Sequence, residues 1–364
     1  MGDVKEIVAG TGHCLALMQD GTVMVWGNNK YGQLGIGEGT TYKAKPIQVI
    51  SLGRNVEKLY AGYYTSMAVM KDGTVMAWGY NNYGQLGTGD TTDRFYPTTI
   101  TALGTNVKDI YPGMYMTFVK TNEGKIFSFG LNEGNQLGIG KTSSSYITKP
   151  TEVTTLGTEV DKIAAGYHHA FALMNDGSVM AWGDNNKDQL GVSNYGKPLP
   201  IKIPTLGSNV RDIGTSAYFT VFLMKDGSLM SCGYNSDFQL GYKTDGYFQK
   251  VPKSIPGIDG KVEKIKVNGS NALALMDDCS VLTWGDNYYG QLGTGDKYDK
   301  QKIVKVEDLG NNVHDIFMSK DCNLVIMKDG SIKVWGDNGA GQLGLTHREE
   351  QTRPVTMPPI EYIK

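Results

Sequence analysis

Short apolar bursts separated by glycine-rich turns run the length of the chain, and none shows the roughly 3.6-residue spacing of an amphipathic helix. The bursts return in a fixed order. One unit reads Asn55-Val56-Glu57-Lys58-Leu59-Tyr60-Ala61-Gly62, then Ser66 to Met70, then Thr74-Val75-Met76-Ala77-Trp78-Gly79, and last Gly84-Gln85-Leu86-Gly87 leading to Pro97 and Ile100. These are four strand candidates. The second and third are joined at Asp72-Gly73, which reads as a two-residue hairpin turn with positive φ angles. The turn returns at Asp20-Gly21, Asp176-Gly177, Asp226-Gly227 and Asp329-Gly330, with Glu123-Gly124 and Asp278-Cys279 as variants.

An aromatic-Gly step followed by Gln-Leu-Gly marks each unit. The marker glycines are Gly27, Gly79, Gly130, Gly183, Gly233, Gly285 and Gly336, spaced by 52, 51, 53, 50, 52 and 51 residues. Six follow Trp or Phe, and Gly233 follows Cys232. Seven units of four strands predict an all-β chain, a seven-bladed β-propeller with four antiparallel strands per blade, forming one domain over residues 1–364. The third strand, as in Val23-Met24-Val25-Trp26, is apolar on both alternations, as expected of a sheet packed between neighbouring blades. Ala16, Ala68 and Ala172 suit a crowded position near the axis. The register starts at Val4 and stops soon after Met357, so the terminal strands are expected to share a blade and close the ring. Which strand is innermost stays open.

Composition adds restraint. Lys plus Arg total 35 and Asp plus Glu 37, with no block of like charge, which argues against a nucleic-acid binder working through a basic arm. No stretch reads as a secretory signal or a membrane span, so a soluble chain with no membrane partner is expected, and a monomer. The compartment stays open, cytoplasmic or secreted with the signal removed. Cys14, Cys232, Cys279 and Cys322 fall in different units without a Cys-x-x-Cys pair, which indicates free thiols rather than a zinc or disulfide framework.

Strand alternation puts loops 1-2 and 3-4 of every unit on one face, and the Asp-Gly turns on the other. Loop 1-2 carries Tyr63, Tyr64, Tyr115, Tyr167, His168, Tyr218 and Phe219; loop 3-4 carries Tyr31, Tyr80, Tyr83, Tyr234, Tyr288 and Tyr289, with Asp184, Asp286 and Asp337 just after the marker Gly. Eleven of the 21 tyrosines therefore gather on one face, where stiff amphipathic rings on variable loops suit a protein partner. The bland alternative is that the rings simply pack between loops. Stacking against sugars stays open.

Chemistry is sparse. Gly134 to Thr142 imitates a phosphate loop, but Asn135 stands where the first glycine is required and the segment repeats at Gly32 and Gly84 as a strand lead-in. Asp184, Asn186 and Asp188 resemble half a calcium loop, with Tyr195 where the bidentate acid belongs. His168-His169 lacks ligand spacing. No cofactor, no metal and no catalytic residue is expected.

The units Trp26 to Gly35, Trp78 to Gly87, Trp284 to Gly293 and Trp335 to Gly344 resemble the repeat of the regulator of chromosome condensation family across essentially the whole chain. The resemblance implies a seven-bladed propeller, and the uniform repeats point to a bacterial-type member. Function transfers less readily. The founding member exchanges nucleotide on a small GTPase and docks on nucleosomes, but this chain has no basic N-terminal tail and no inserted wedge. A bacterial member inhibits β-lactamases through an aromatic loop face, to which Tyr63-Tyr64 and Tyr218-Phe219 are similar in kind. The leading expectation is a non-catalytic protein-binding scaffold. The alternatives are a β-lactamase-inhibitor-like protein, a guanine-nucleotide exchange factor and a glycan-binding module.

Overall fold

The computed structural model describes residues 4–140, 144–193 and 196–360. Among the described residues, twenty-eight strands form seven sheets, each of four antiparallel strands in sequence order, with a short 3-10 turn at five of the six connections between consecutive blades, all but that from blade 5 to blade 6. Blade 1 is Val4–Ala9, His13–Met18, Val23–Asn28 and Tyr42–Gln48. The first strands of the seven blades touch one another all the way round, so the first strand lines the axis and the fourth forms the rim. Prolines mark that rim: Pro46, Pro97, Pro150, Pro198, Pro252 and Pro354 lie in fourth strands, where an outer edge needs no donor and a missing N–H blunts unwanted pairing.

The hydrophobic core is a set of layers between blades. At the seam, Ile7, Cys14, Ala16 and Trp26 of blade 1 pack with Leu324, Val334, Leu343 and Met357 of blade 7. The ring thus closes by packing of the first strand of blade 1 against the first strand of blade 7, and the terminal strands do not share a sheet as expected, because each repeat supplies all four of its own strands. Ala16, Ala68 and Ala172 are fully buried in second strands, between blades rather than at the axis. Crowding at the axis falls instead on glycine: a Cβ on Gly10 would lie 2.2 Å from the Gly62 carbonyl oxygen.

The repeat signature is an inter-blade clasp. Buried Trp26, Trp78, Trp182, Trp284 and Trp335 each donate Nε1–H to the main-chain oxygen of the Gln in the preceding blade, at 3.0, 3.0, 2.9, 2.9 and 2.8 Å. The two blades without Trp solve the same problem differently. Beside Phe129, Thr117 Oγ1 donates to Gln85 O (2.8 Å), and beside Cys232, Thr220 Oγ1 donates to Gln189 O (3.0 Å). The glycine after Gln-Leu lies under the ring it clasps. Gly138 has φ 71°, and a Cβ there would meet Trp182 Nε1 at 2.8 Å. Gly138→Ala is therefore expected to destabilise the fold by about 1–3 kcal/mol, read from the urea midpoint, through a left-handed backbone penalty and an overpacked contact.

The Asp-Gly hairpin differs from the expected two-residue turn. Gly21 N donates to Met18 O and Met18 N to Thr22 O, both at 2.9 Å, so the loop is three residues long, a tight turn followed by a glycine bulge with φ 85°. Asp20 keeps a negative φ because its Oδ1 accepts from both the N–H (3.0 Å) and the hydroxyl (2.7 Å) of Thr22. The same brace returns at Asp72, Asp226 and Asp329.

Around the axis, the third residue of each first strand alternates in charge: Glu6, Lys58, Asp109, Lys162, Asp212, Lys264 and Asp315. Lys58–Asp109 (2.9 Å), Lys162–Asp212 and Lys264–Asp315 bridge adjacent blades. Seven is odd, so one like-charged pair of neighbours, Asp315 and Glu6, falls at the seam. Lys266 faces both acids, while burial lowers its ammonium to about 8.

Candidate functional site

The invariant residues of each repeat build a mount for the variable ones. The marker glycine brings loops 1-2 and 3-4 together: in all seven blades the N–H after it donates to a loop 1-2 carbonyl, as from Tyr80 to Tyr64 (3.0 Å), Tyr234 to Tyr218 (2.8 Å) and Asp337 to Asp321 (2.8 Å). A Cβ on Gly79 would lie 2.3 Å from that Tyr64 oxygen, which is why the position is glycine with φ 104°. The buried Asn then pins the loop. Asn29, Asn81 and Asn287 Oδ1 each accept from the Leu five residues on, at 2.9 Å. Gln33, Gln85 and Gln291 Oε1 accept from the N–H of Tyr31, Tyr83 and Tyr289, at 2.9, 3.0 and 2.8 Å, fixing the backbone beneath each half-buried ring. The fold holds the loop backbone rigid and leaves the outward side chains free to vary.

Those rings meet in series. Tyr31 lies against Tyr64 (5.1 Å between centroids) and Tyr80 (4.8 Å), Tyr63 against Tyr64 (4.6 Å), Tyr83 against Tyr115 (4.9 Å) and Tyr115 against Tyr167 (5.3 Å). Tyr167 continues to His168 (4.3 Å) and Tyr218 (6.3 Å), and Tyr218 to Tyr234 (6.4 Å). The result is an arc over blades 1 to 5, with Tyr288 and Tyr289 as a separate pair on blade 6 (4.8 Å). Mutual contact leaves most rings half-buried, whereas Tyr218 and Tyr288 are 41% and 69% exposed. Packing between loops and availability to a partner therefore coexist. Burial raises the Tyr63, Tyr64 and Tyr115 hydroxyls above the usual phenol range, so they stay neutral donors.

Phe219 does not belong to this surface. It is 1% exposed and opens the second strand of blade 5, inside the core between blades 5 and 6, so it is withdrawn from the candidate face. His168 does belong, with its Nδ1 3.1 Å from Gln136 Nε2 and its pKa lowered by burial. Its neighbour His169 is fully buried, with Nε2 2.7 Å from Thr215 Oγ1.

The three aspartates are braces as well as rim. Asp184, Asp286 and Asp337 each accept a main-chain N–H two residues on through Oδ1 and a Gln Nε2 five residues on through Oδ2. The half-buried calcium imitation is thus explained by a loop brace; Tyr195 lies outside the described residues, as do Lys141 and Thr142 of the phosphate-loop imitation. Gly134 to Gly140 follows the same loop pattern as its sister repeats, with Leu137 N on Asn132 Oδ1 (3.1 Å). Among the described residues, no group of three or more His, Cys, Asp or Glu is placed to hold a metal ion. No helix among them is long and apolar enough to cross a membrane.

Asp321 is the site residue that the sequence did not advertise. Its carboxyl faces Lys320 (3.5 Å) in a loop with no aromatic residue, and burial together with Asp337 and Asp286 lifts its pKa to about 6. A raised carboxyl pKa means that the folded state holds the proton more tightly than the unfolded chain. The stability it contributes is full below about pH 4 and lost as pH rises through about 6. Asp321→Asn is expected to stabilise the protein at about pH 7.5 by on the order of 1–3 kcal/mol, with the gain gone near pH 4, as denaturant midpoints at the two pH values will show.

At the centre of this face the channel mouth opens into a cavity of about 510 Å³, lined by Tyr63, Tyr167, Tyr218, Tyr289, Asp286 and Asp321 among others. The far end of the channel is a second hollow, about 450 Å³, lined by Lys5, Glu6, Lys264, Lys266 and His314 among others. Tyrosines stand among the small residues of the first opening, and lysines and acids among the apolar residues of the second.

Comparison with known proteins places the chain. The RCC1-like domain profile matches residues 1–193, and profiles of the regulator of chromosome condensation (RCC1) repeat match 176–223, 278–326 and 210–239. The ultraviolet-B receptor UVR8 of Arabidopsis thaliana is 27% identical over 357 residues, 97% of this chain and 69% of the receptor. The human probable E3 ubiquitin-protein ligase HERC3 is 37% identical over 195 residues, 52% of this chain but only 18% of the ligase. Human WBSCR16 has the same fold at TM-score 0.83 and 23% identity, covering 93% of this chain and 94% of that one. Prp20p of Saccharomyces cerevisiae follows at TM-score 0.76 and 22% identity, covering 86% and 79%. At those identities the structural likeness shows the fold alone. Seven clasped repeats, the ring they form and the profile over more than half its length make this chain a member of the regulator of chromosome condensation (RCC1) family of β-propellers.

Proposed function

We propose that the protein is a non-catalytic scaffold that binds another protein through the face formed by loops 1-2 and 3-4. The observation that carries this is the continuous arc of half-exposed tyrosines from Tyr31 to Tyr234, mounted on loops whose backbone is fixed by buried Asn and Gln. Tyr supplies contact area at low entropic cost, and a rigid mount lowers the cost of ordering the surface on binding. Asp184, Asp286 and Asp337 form the polar rim. A structural neighbour, Prp20p, is described by its binding to Gsp1p and histones, which fits a propeller that works by engaging proteins. The test is affinity capture from lysate and secreted fractions with the wild-type ring and with a Tyr64→Ala/Tyr218→Ala variant. A protein held by the first and lost by the second supports the reading; capture that is equal for both overturns the assignment of the face.

A further inference from the structure

The binding face is chemically lopsided, and the lopsidedness converges on the channel mouth. Aromatic rings form an arc over blades 1 to 5, while Asp286, Asp321 and Asp337 collect over blades 6 and 7, with Lys320 beside Asp321. Two of these acids, Asp286 and Asp321, line the 510 Å³ cavity opposite Tyr63 and Tyr167, and Tyr289 stands beside Asp321. Asp286 and Asp337 already accept hydrogen bonds within their loops. Among the described residues the Asp321 carboxylate is paired with the Lys320 ammonium at 3.5 Å, a side chain 44% exposed and able to turn to water. Among the described residues, Asp286 and Asp321 bring two carboxylates and Lys320 one ammonium to a recess walled in part by tyrosines, and Asp337 adds a third carboxylate close to Asp321. Such a recess holds a cation twice over, by charge and by the negative faces of its rings.

We propose that the channel mouth is a recognition pocket for a basic side chain, an arginine or lysine at the tip of a partner's turn, with Asp321 as the acceptor of its charge and Tyr63, Tyr167 and Tyr289 as the walls along its stem. The cavity exceeds one side chain and suits the apex of a turn. This inference rests on the loop-face reading and supplies the chemistry of the residue that the partner inserts.

The test uses a disulfide-cyclised peptide with one arginine at its turn apex and the same peptide with citrulline, which keeps the shape and removes the charge. Titration followed by amide and tyrosine-ring NMR shifts is expected to show saturable binding of the arginine peptide, with shifts at Tyr63, Tyr167, Tyr289 and Asp321. The citrulline peptide on wild type, and the arginine peptide on Asp321→Asn, are each expected to bind at least about tenfold more weakly. Equal binding of the two peptides, or an unchanged affinity in Asp321→Asn whose melting curve shows it folded, overturns the pocket. Tyr31→Ala/Tyr64→Ala, outside the cavity, separates the two readings. If that variant still captures the protein partner while the arginine peptide behaves as expected, the arc fails and the pocket stands; if partner capture is lost and the citrulline peptide binds as well as arginine, the pocket fails and the arc stands.

Discussion

Replacing Tyr64 and Tyr218 together by alanine is expected to weaken partner binding about a thousandfold and leave the ring folded. Tyr64 touches Tyr31, Tyr63 and Tyr80 at one end of the arc, and Tyr218 touches Tyr167 and Tyr234 at the other. The two rings share no direct contact, so their effects should add. Tyrosine anchors that become desolvated on binding are each worth about 2 kcal/mol, and about 4 kcal/mol together is close to a thousandfold in Kd. Neither ring takes part in the Trp–Gln clasps or the inter-blade cores. Loss of ring-to-ring contact should cost about 1 kcal/mol for each substitution, a small part of what the closed ring can spare. Titration calorimetry with the captured partner reads the affinity, and a urea melt reads the fold.

The largest expected effect on stability lies at a clasp. Trp182→Ala removes a fully buried indole that packs edge-on against Phe118 (5.7 Å) and covers Gly138, and it also leaves Gln136 O without the Nε1–H donor at 2.9 Å. Cavity and lost hydrogen bond together predict about 3–5 kcal/mol of destabilisation. Trp182→Phe should cost less, about 1–3 kcal/mol, because it keeps most of the packing and loses chiefly the donor. Blade 3 shows how the donor can be replaced: Phe129 there faces Thr117 across the sheet, and Thr117 Oγ1 serves Gln85 O. Ala170 is the cross-strand partner of Trp182, so Ala170→Thr combined with Trp182→Phe should recover part of the loss in a urea unfolding series. Additive costs with no recovery would mean that the indole acts through volume alone.

Much of the fold was legible because the repeat repeats the physics. The steady spacing of Gly27 to Gly336 gave the number of blades, and the apolar third strand showed that both sheet faces are covered. What escaped had causes that a single repeat cannot display. The Asp-Gly turn takes its shape from the aspartate side chain bonding Thr22 or its equivalents, which a dipeptide pattern does not distinguish from a two-residue turn. The order of strands from axis to rim was written in the fourth-strand prolines and in the alternating Glu6, Lys58, Asp109 series, both visible only when repeats are aligned. Terminal closure within one sheet was a false expectation because each repeat is already a complete blade.

The site was legible in its aromatic half. Tyr63, Tyr115 and Tyr167 stand in loops and reach the surface, but Phe219 is the first residue of a strand, aligned with His13, Thr65, His169 and Asn271, all buried. One residue of register separates Tyr218 on the face from Phe219 in the core. Asp321 was missed because its environment comes from Asp286 and Asp337 on other loops and from Tyr63 across the channel, none of them its neighbours in sequence.

The most direct test of the loop face as the docking surface is amide hydrogen exchange on the ring with and without its captured partner. Added protection is expected in the loops carrying Tyr63-Tyr64, Tyr115, Tyr167-His168, Tyr218 and Tyr288-Tyr289, with the Asp20-Gly21, Asp72-Gly73 and Asp226-Gly227 turns unchanged. Protection at those turns or along the proline-marked rim strands, with the tyrosine loops exchanging as before, would contradict it.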